Sequence, residues 1–202
     1  MTIETIVVGQ MAANCYIVVD HGEALIIDPG DDAEYIIDKL THLAANPTLI
    51  VATHGHFDHI MAARTLQLAY RIPFAIHPDD IFLLKQMRDS ARHYLGITTD
   101  PPPKVAKKLK DEETLKIGSK ILKVFHVPGH TPGSICLTLA SEKILFVGDT
   151  IFAGGIVGRT DFSYANKKDL ERSLRRILDF PSKTKLLPGH GESFTTELWQ
   201  SQ

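Results

Sequence analysis

The chain has 202 residues, 44% of them hydrophobic and 23% charged, with a formal net charge of -2. That balance is typical of a globular protein with material for a full core, and residues 1–202 are read as one domain. It gives no electrostatic reason to expect nucleic acid or an anionic membrane as partner, and no apolar run approaches the ~20 residues of a membrane helix.

The N-terminus, MTIETIVVGQ, lacks a basic segment followed by an apolar stretch, so no signal peptide is expected. Cys15 and Cys136 stand far apart inside apolar runs, which predicts buried free thiols in a reducing, cytoplasmic setting. A monomer or a small homo-oligomer is equally compatible with the sequence.

In chain order, TIETIVV (2–8), CYIVVD (15–20) and EALIID (23–28) read as a β-meander, with His21-Gly22 as a tight turn. DPGDD (28–32) breaks the strand and offers an aspartate N-cap to a helix carrying Ile36, Ile37, Leu40 and Leu43. Pro47 precedes the strand TLIVAT. The cluster THGHFDH (53–59) follows, then a helix over 59–71, a short strand in IPFAIHP (72–78) and a helix over 79–93.

Residues 96–118 hold Pro101-Pro102-Pro103, so a long exposed loop is expected, with KVAKKLKDEE (104–113) as a solvated face; the loop over 94–118 could cover a cleft and select the acyl group or thiol. Strands resume at KILKVFHV (120–127), SICLTLA (134–140), with a Ser141-Glu142 turn, and KILFVGD (143–149). Asn166 can cap a helix whose apolar face is Leu170, Leu174, Ile177 and Leu178; Pro181 ends it, and TKLLPGHGE (184–192) is a last strand entering a glycine-rich loop. Two similar halves of meander, helix and strand predict an α/β (α+β) architecture of two mixed sheets covered by helices.

The cluster packs three histidines and one aspartate into seven residues after an apolar strand. In an extended segment the side-chain period is two, so His54 and His56 point the same way and can grip one ion. Asp58 and His59 follow a turn and face a neighbouring position. His130, Asp149 and His190 share one placement, the polar C-terminal end of an apolar strand. With the cluster they make seven candidate ligands, too many for one zinc, which takes about three or four protein ligands. Two ions ~3.5–4 Å apart accommodate them and can share a water with a pKa lowered towards ~7, which predicts a dinuclear hydrolase. Zinc is the first expectation, and iron or manganese are accepted by the same His/Asp donors. A structural metal in a binding module fits less well, because such sites are closed four-ligand sets.

THGHFDH, GHTPGS, GDT and PGHGE, in that order, resemble the metallo-β-lactamase superfamily, together with ANCYIV and IIDPG near the N-terminus. The resemblance implies an αββα sandwich with metals at its edge: His54, His56 and His130 on one ion, Asp58, His59 and His190 on the other, and Asp149 bridging. Within the superfamily, GDTIFAGGIVGRTDF (148–162) is similar to glyoxalase II, the hydroxyacylglutathione hydrolases, in their short bacterial form. This implies a thioester substrate such as S-D-lactoylglutathione, a metal-bridging hydroxide as nucleophile, Asp58 orienting it, and Arg159 at the substrate. Two departures stand out. Ile156-Val157 adds one residue before Gly158-Arg159, and full-length glyoxalase II carries a helical C-terminal domain where only eleven residues follow Gly191 here.

Persulfide dioxygenases share the cluster and the GRTDF segment (158–162), and would use one iron on His54, His130 and Asp149. PGHGE is more similar to the hydrolases. A true β-lactamase is disfavoured by Asp149, since subclasses of that enzyme use a cysteine there or lack a bridging carboxylate; lactonase and phosphodiesterase remain alternatives. His21, His42, His77, His93 and Trp199 are not candidates, and nothing in the sequence places Tyr16 or Tyr164 in a pocket.

Overall fold

The computed structural model describes residues 1–200. It opens on the expected meander: β1 (Thr2–Val8), β2 (Ala13–Asp20) and β3 (Glu23–Ile27) pair antiparallel. His21 and Gly22 have φ of 51° and 78°, the positive pair that a two-residue hairpin turn requires. Three crossovers follow, each delivering a strand parallel to the one before: α1 (Ala33–His42) to β4 (Asn46–Val51), α2 (Ala63–Tyr70) to β5 (Phe74–Ile76), and α3 (Ile81–Leu95) to β6 (Val105–Lys108). These six strands form one sheet in sequence order.

The second sheet has a related plan. β7 (Thr114–Ile117), β8 (Lys120–His126), β9 (Ile135–Leu139) and β10 (Ile144–Gly148) pair antiparallel. Then α4 (Lys167–Leu178) crosses to parallel β11 (Lys185–Pro188), and β12 (Phe194–Thr195) leads into α5 (Thr196–Gln200).

Three apolar layers hold the sheets and helices together. Val18, Leu25, Ile27 and Val51 face Leu122, Val124, Leu137 and Phe146 between the sheets. Ile17, Ile26 and Ile50 on the other face of the first sheet meet Ile36, Leu40, Leu66 and Met87 of its helices. Cys136, Leu145 and Val147 meet Ile177 on the outside of the second sheet. Central strands are therefore buried on both faces and read in sequence as unbroken apolar runs. Each such Ile or Leu contributes roughly 1.5–3 kcal/mol by leaving water. The architecture is the αββα sandwich that the sequence implied.

Four local expectations are corrected. Residues 96–118 are not a structureless loop: they supply β6 and β7, and Leu109, Leu115 and Ile117 are buried between the sheets. Asp32 does not cap α1; its φ is 52° and its carboxylate instead accepts from Gly9 N at 2.8 Å. Pro47 lies inside β4 rather than before it. The helix expected from 59 starts at Ala63, after a 3-10 turn over Phe57–His59. Asn166 caps α4 as expected, its Oδ1 accepting from Lys168 N and Asp169 N. Cys15 and Cys136 are buried free thiols. No helix among the described residues is long and apolar enough to cross a membrane.

Strand direction positions the site. β8 and β10 both run antiparallel to β9, and β11 runs parallel to β10, so the three end on one edge. β4 of the other sheet ends there too, where Ile135 N donates to Thr53 O at 2.8 Å and joins the two sheets.

Candidate metal centre

The structure brings all seven candidate ligands together at that edge. His54, His56, Asp58 and His59 leave the end of β4; His130 follows β8, Asp149 follows β10, and His190 follows β11. His56 Nδ1 lies 3.1 Å from His54 Nε2 and 3.0 Å from His130 Nε2. His190 Nε2 lies 3.2 Å from His59 Nε2 and 3.3 Å from Asp58 Oδ2. Asp149 stands between these two groups. Its Oδ2 is 4.0 Å from His54 Nε2, 3.9 Å from His130 Nε2 and 3.6 Å from His190 Nε2, and its Oδ1 is 3.5 Å from His59 Nε2.

The outer nitrogens decide what the inner ones are. Each of the five rings turns its other nitrogen to an oxygen: His54 Nδ1 to Thr53 Oγ1 (3.1 Å), His56 Nε2 to Tyr164 Oη (2.8 Å), His59 Nδ1 to Asp28 Oδ2 (3.2 Å), His130 Nδ1 to Arg159 O (2.9 Å) and His190 Nδ1 to Ala12 O (3.2 Å). A neutral imidazole has one N–H and one lone pair, so donating outward turns a bare lone pair inward; where the carboxylates keep a proton on the inner nitrogen, a bound cation takes that proton's place. Such lone pairs repel unless a cation lies among them. Their spacing is close to the ~3.3 Å edge of a tetrahedron with bonds of about 2.0–2.1 Å. Asp149 Oδ1, buried and without any hydrogen-bond partner, is aimed at the same space. The donor set fits two divalent cations.

Electrostatics separates the two groups. Burial, then neighbouring imidazoles, hold His54 far below the usual histidine range, and the same causes push His56 down to about 3. Burial also lowers His130. These three are neutral and able to coordinate at pH 7. In the other group burial opposes charge on His59, but the Asp149 and Asp58 carboxylates override it and hold His59 well above its ordinary value. Burial likewise opposes charge on His190, which the Asp58 contact and Asp149 raise overall. Asp149 is held far below the carboxylate range by His59 and His54 despite its burial. A field that retains protons so strongly also favours a metal cation.

Several residues that the sequence did not single out hold these ligands in place. Asp28 is 1% exposed and accepts from Thr53 N and Thr53 Oγ1, both at 2.6 Å, besides facing His59. Asp80, fully buried, accepts from Gly55 N, Thr131 Oγ1 and Gly133 N at 2.6–2.8 Å, tying the loop of His54 to that of His130. Asn14 Nδ2 donates to Pro188 O and Gly191 O, and Tyr16 Oη donates to Pro188 O, clamping the loop of His190. Gly189 is required by close approach: a Cβ there would lie 2.1 Å from Asp149 Oδ1. The only sequence signal for Asp28 was its place at a strand end, which it shares with Asp149.

The centre opens into a cleft of about 640 Å³. α3 contributes Leu83, Ser90, His93 and Tyr94 to its lining; Phe152, Ile156 and Val157 flank it, and Phe162 and Tyr164 face His56. Arg159 is on its rim, with Nε and Nη2 bound to Asp161 and the guanidinium over the Phe162 ring. One expectation fails in part here. Of the segment 94–118, expected to cover the cleft, Tyr94 at the end of α3 lines it and the rest does not, because the segment goes on to supply sheet-edge strands. His93, which belongs to neither ligand group, lines the cleft as well. Tyr164 is in the wall, and Tyr16 is not.

Residues 8–190 match the sequence model of the family described as Metallo-beta-lactamase superfamily. A hydroxyacylglutathione hydrolase GloC from Haemophilus influenzae is 34% identical, the match covering 97% of this chain and 93% of that protein. Among solved structures, the BLEG-1 B3 metallo-beta-lactamase superposes with a TM-score of 0.90 at 33% identity, covering 100% of this chain and 97% of its own. TTHA1623 in a di-iron-bound form superposes at 0.89 with 32% identity and 96% coverage of both chains. With the sandwich, the strand-end ligands and a family match over most of its length, the chain belongs to the metallo-beta-lactamase superfamily.

Proposed function

We propose that this protein is a dinuclear metal-dependent thioester hydrolase of the hydroxyacylglutathione hydrolase type. The observation that carries the reading is the pairing of two ligand groups, His54/His56/His130 and Asp58/His59/His190, across Asp149 at the floor of a cleft. His54, His56 and His130 would hold one ion, Asp58, His59 and His190 the other, and Asp149 both. Bound there, the ions supply Lewis acidity and a water acidified towards pKa ~7.

The chain's own groups do the rest. Asp58 lines the cleft beside His190, where its carboxylate can orient an attacking water and hold its proton. The leaving group of a thioester is a thiolate of pKa ~8.5, which departs without a strong general acid. Arg159 is the one Lys or Arg in the cleft lining among the described residues, and it would meet a substrate carboxylate by exchange with Asp161. The GloC relative supports a glutathione thioester as the substrate to try first. Zinc is the first metal to test, with iron beside it because a di-iron form of a 32%-identical protein exists.

The test is release of free thiol from S-D-lactoylglutathione by purified protein, before and after chelation and after metal is returned. Metal-dependent release supports the reading. Inactivity on thioesters together with β-lactam hydrolysis, or with persulfide-dependent oxygen uptake, overturns it in favour of a lactamase or an iron oxygenase.

A further inference from the structure

Four of the five inner histidines turn their outer nitrogen to a group that belongs to the scaffold: Thr53, Asp28, and the carbonyls of Arg159 and Ala12. His56 alone turns to a side chain of the cleft wall, the hydroxyl of Tyr164. A phenol has one O–H to donate and lone pairs to accept with. When His56 offers its Nδ1 lone pair inward, its proton is on Nε2 and is donated to Tyr164 Oη. The Tyr164 O–H is then left to donate elsewhere. No second protein partner for it exists among the described residues.

The ring itself is fixed. Tyr164 stacks on Phe162 with centroids 5.3 Å apart and planes at 8°, and meets Phe82 edge-on at 5.4 Å. Phe162 in turn stands 5.2 Å from the His56 ring and 6.1 Å from His130. The donor is thus held rigidly beside the His54/His56/His130 group, on the aromatic side of the cleft. The exposed Tyr94, Ile156 and Arg159 lie at the mouth, where a bulky thiol portion has room. A small acyl group belongs at the aromatic end. With its carbonyl facing the His54/His56/His130 group, the next oxygen along it would be left as the acceptor for Tyr164.

From this we propose that Tyr164 is a specificity-determining residue that donates a hydrogen bond to an oxygen on the carbon next to the thioester carbonyl, selecting 2-hydroxyacyl over plain acyl thioesters. The inference rests on the hydrolase reading above. It uses Tyr164 in two ways at once, as acceptor for His56 and as donor to substrate, and only the second is a matter of specificity.

The experiment compares S-D-lactoylglutathione with S-propionylglutathione, which differ by that hydroxyl alone, on the wild type and Tyr164→Phe. Alongside, calorimetry on metal-loaded protein compares the uncleavable thioethers S-(2-hydroxypropyl)glutathione and S-propylglutathione, and the metal-to-protein ratio is read for both proteins. The wild type is expected to favour the hydroxylated member of each pair by about tenfold, the worth of one hydrogen bond. Assayed at saturating metal, Tyr164→Phe should remove that preference, while loss of the His56 contact lowers both substrates by a common factor and weakens metal binding. A wild type that treats both members of each pair alike overturns the inference, whatever the variant does. So does a variant that loses both substrates by the same factor and keeps the wild-type preference, which would mark Tyr164 as a prop for His56 only. If neither thioester is cleaved the hydrolase reading fails, while the thioether affinities still decide whether Tyr164 reads the hydroxyl.

Discussion

The Asp28 carboxylate faces His59 Nδ1 at 3.2 Å and takes both the backbone N–H and the hydroxyl of Thr53, so one buried side chain orients both ends of the histidine loop. Thr53 Oγ1, donating to Asp28, is free to accept from His54 Nδ1. Asp28 itself has a φ of 51°, a conformation costly for a residue other than glycine, and this strained backbone is held by the contacts it makes. Replacing it with asparagine puts an N–H₂ where three donors converge. Asp28→Asn is expected to weaken metal binding 10- to 100-fold, the usual effect of losing a carboxylate behind a ligating histidine. Competition with a chromophoric chelator measures this; unchanged affinity would remove Asp28 from the account.

Gly189 offers a steric test of the same centre. An alanine Cβ would press on Asp149 Oδ1 at 2.1 Å and His59 Cε1 at 2.7 Å. Neither is the end of a flexible chain, so both ligand groups must shift. Gly189→Ala should lower metal occupancy and turnover by at least tenfold, the scale on which small displacements act in catalytic sites, with the fold intact by circular dichroism. Full occupancy in that variant would mean the centre is looser than drawn.

Asp80 gives a pH prediction with a definite sign. Burial, against its three hydrogen bonds, raises its pKa from 3.8 to about 6. The folded state then holds the proton more tightly than the unfolded one. The stability this lends is fully present below the unfolded value of 3.8 and is lost as pH rises through about 6. A shift of about two units corresponds to about 3 kcal/mol. Urea unfolding of metal-free protein at pH 4 and pH 7 should therefore show that the advantage of wild type over Asp80→Asn shrinks at the higher pH. An advantage that grows with pH contradicts the assignment.

The sequence carried the seven inner residues because metal chemistry restricts residue type and strand ends restrict position. It also carried β2, β3, β4, β9 and β10, whose burial on both faces leaves an apolar signature. β6 was not legible. It pairs with β5 on one side only and its lysines keep the outer edge charged, as edge strands do, so it reads like a solvated segment. Asp28, Asp80 and Tyr164 were missed for another reason. Each acts across 25 to 108 residues of chain, on a partner that only the folded sandwich brings near. Asp80 looks like any acid at the start of a helix until Gly55 and Thr131 are seen around it.

Whether two metal positions share Asp149 is read from the metal-to-protein ratio of purified wild type and Asp149→Ala, with His130→Ala as a single-group control. The expected result is a ratio near two for the wild type, depletion at both positions and loss of turnover in Asp149→Ala, and a smaller deficit in His130→Ala. An Asp149→Ala protein that keeps two metals and its activity, or a fully active wild type that holds only one, would contradict it.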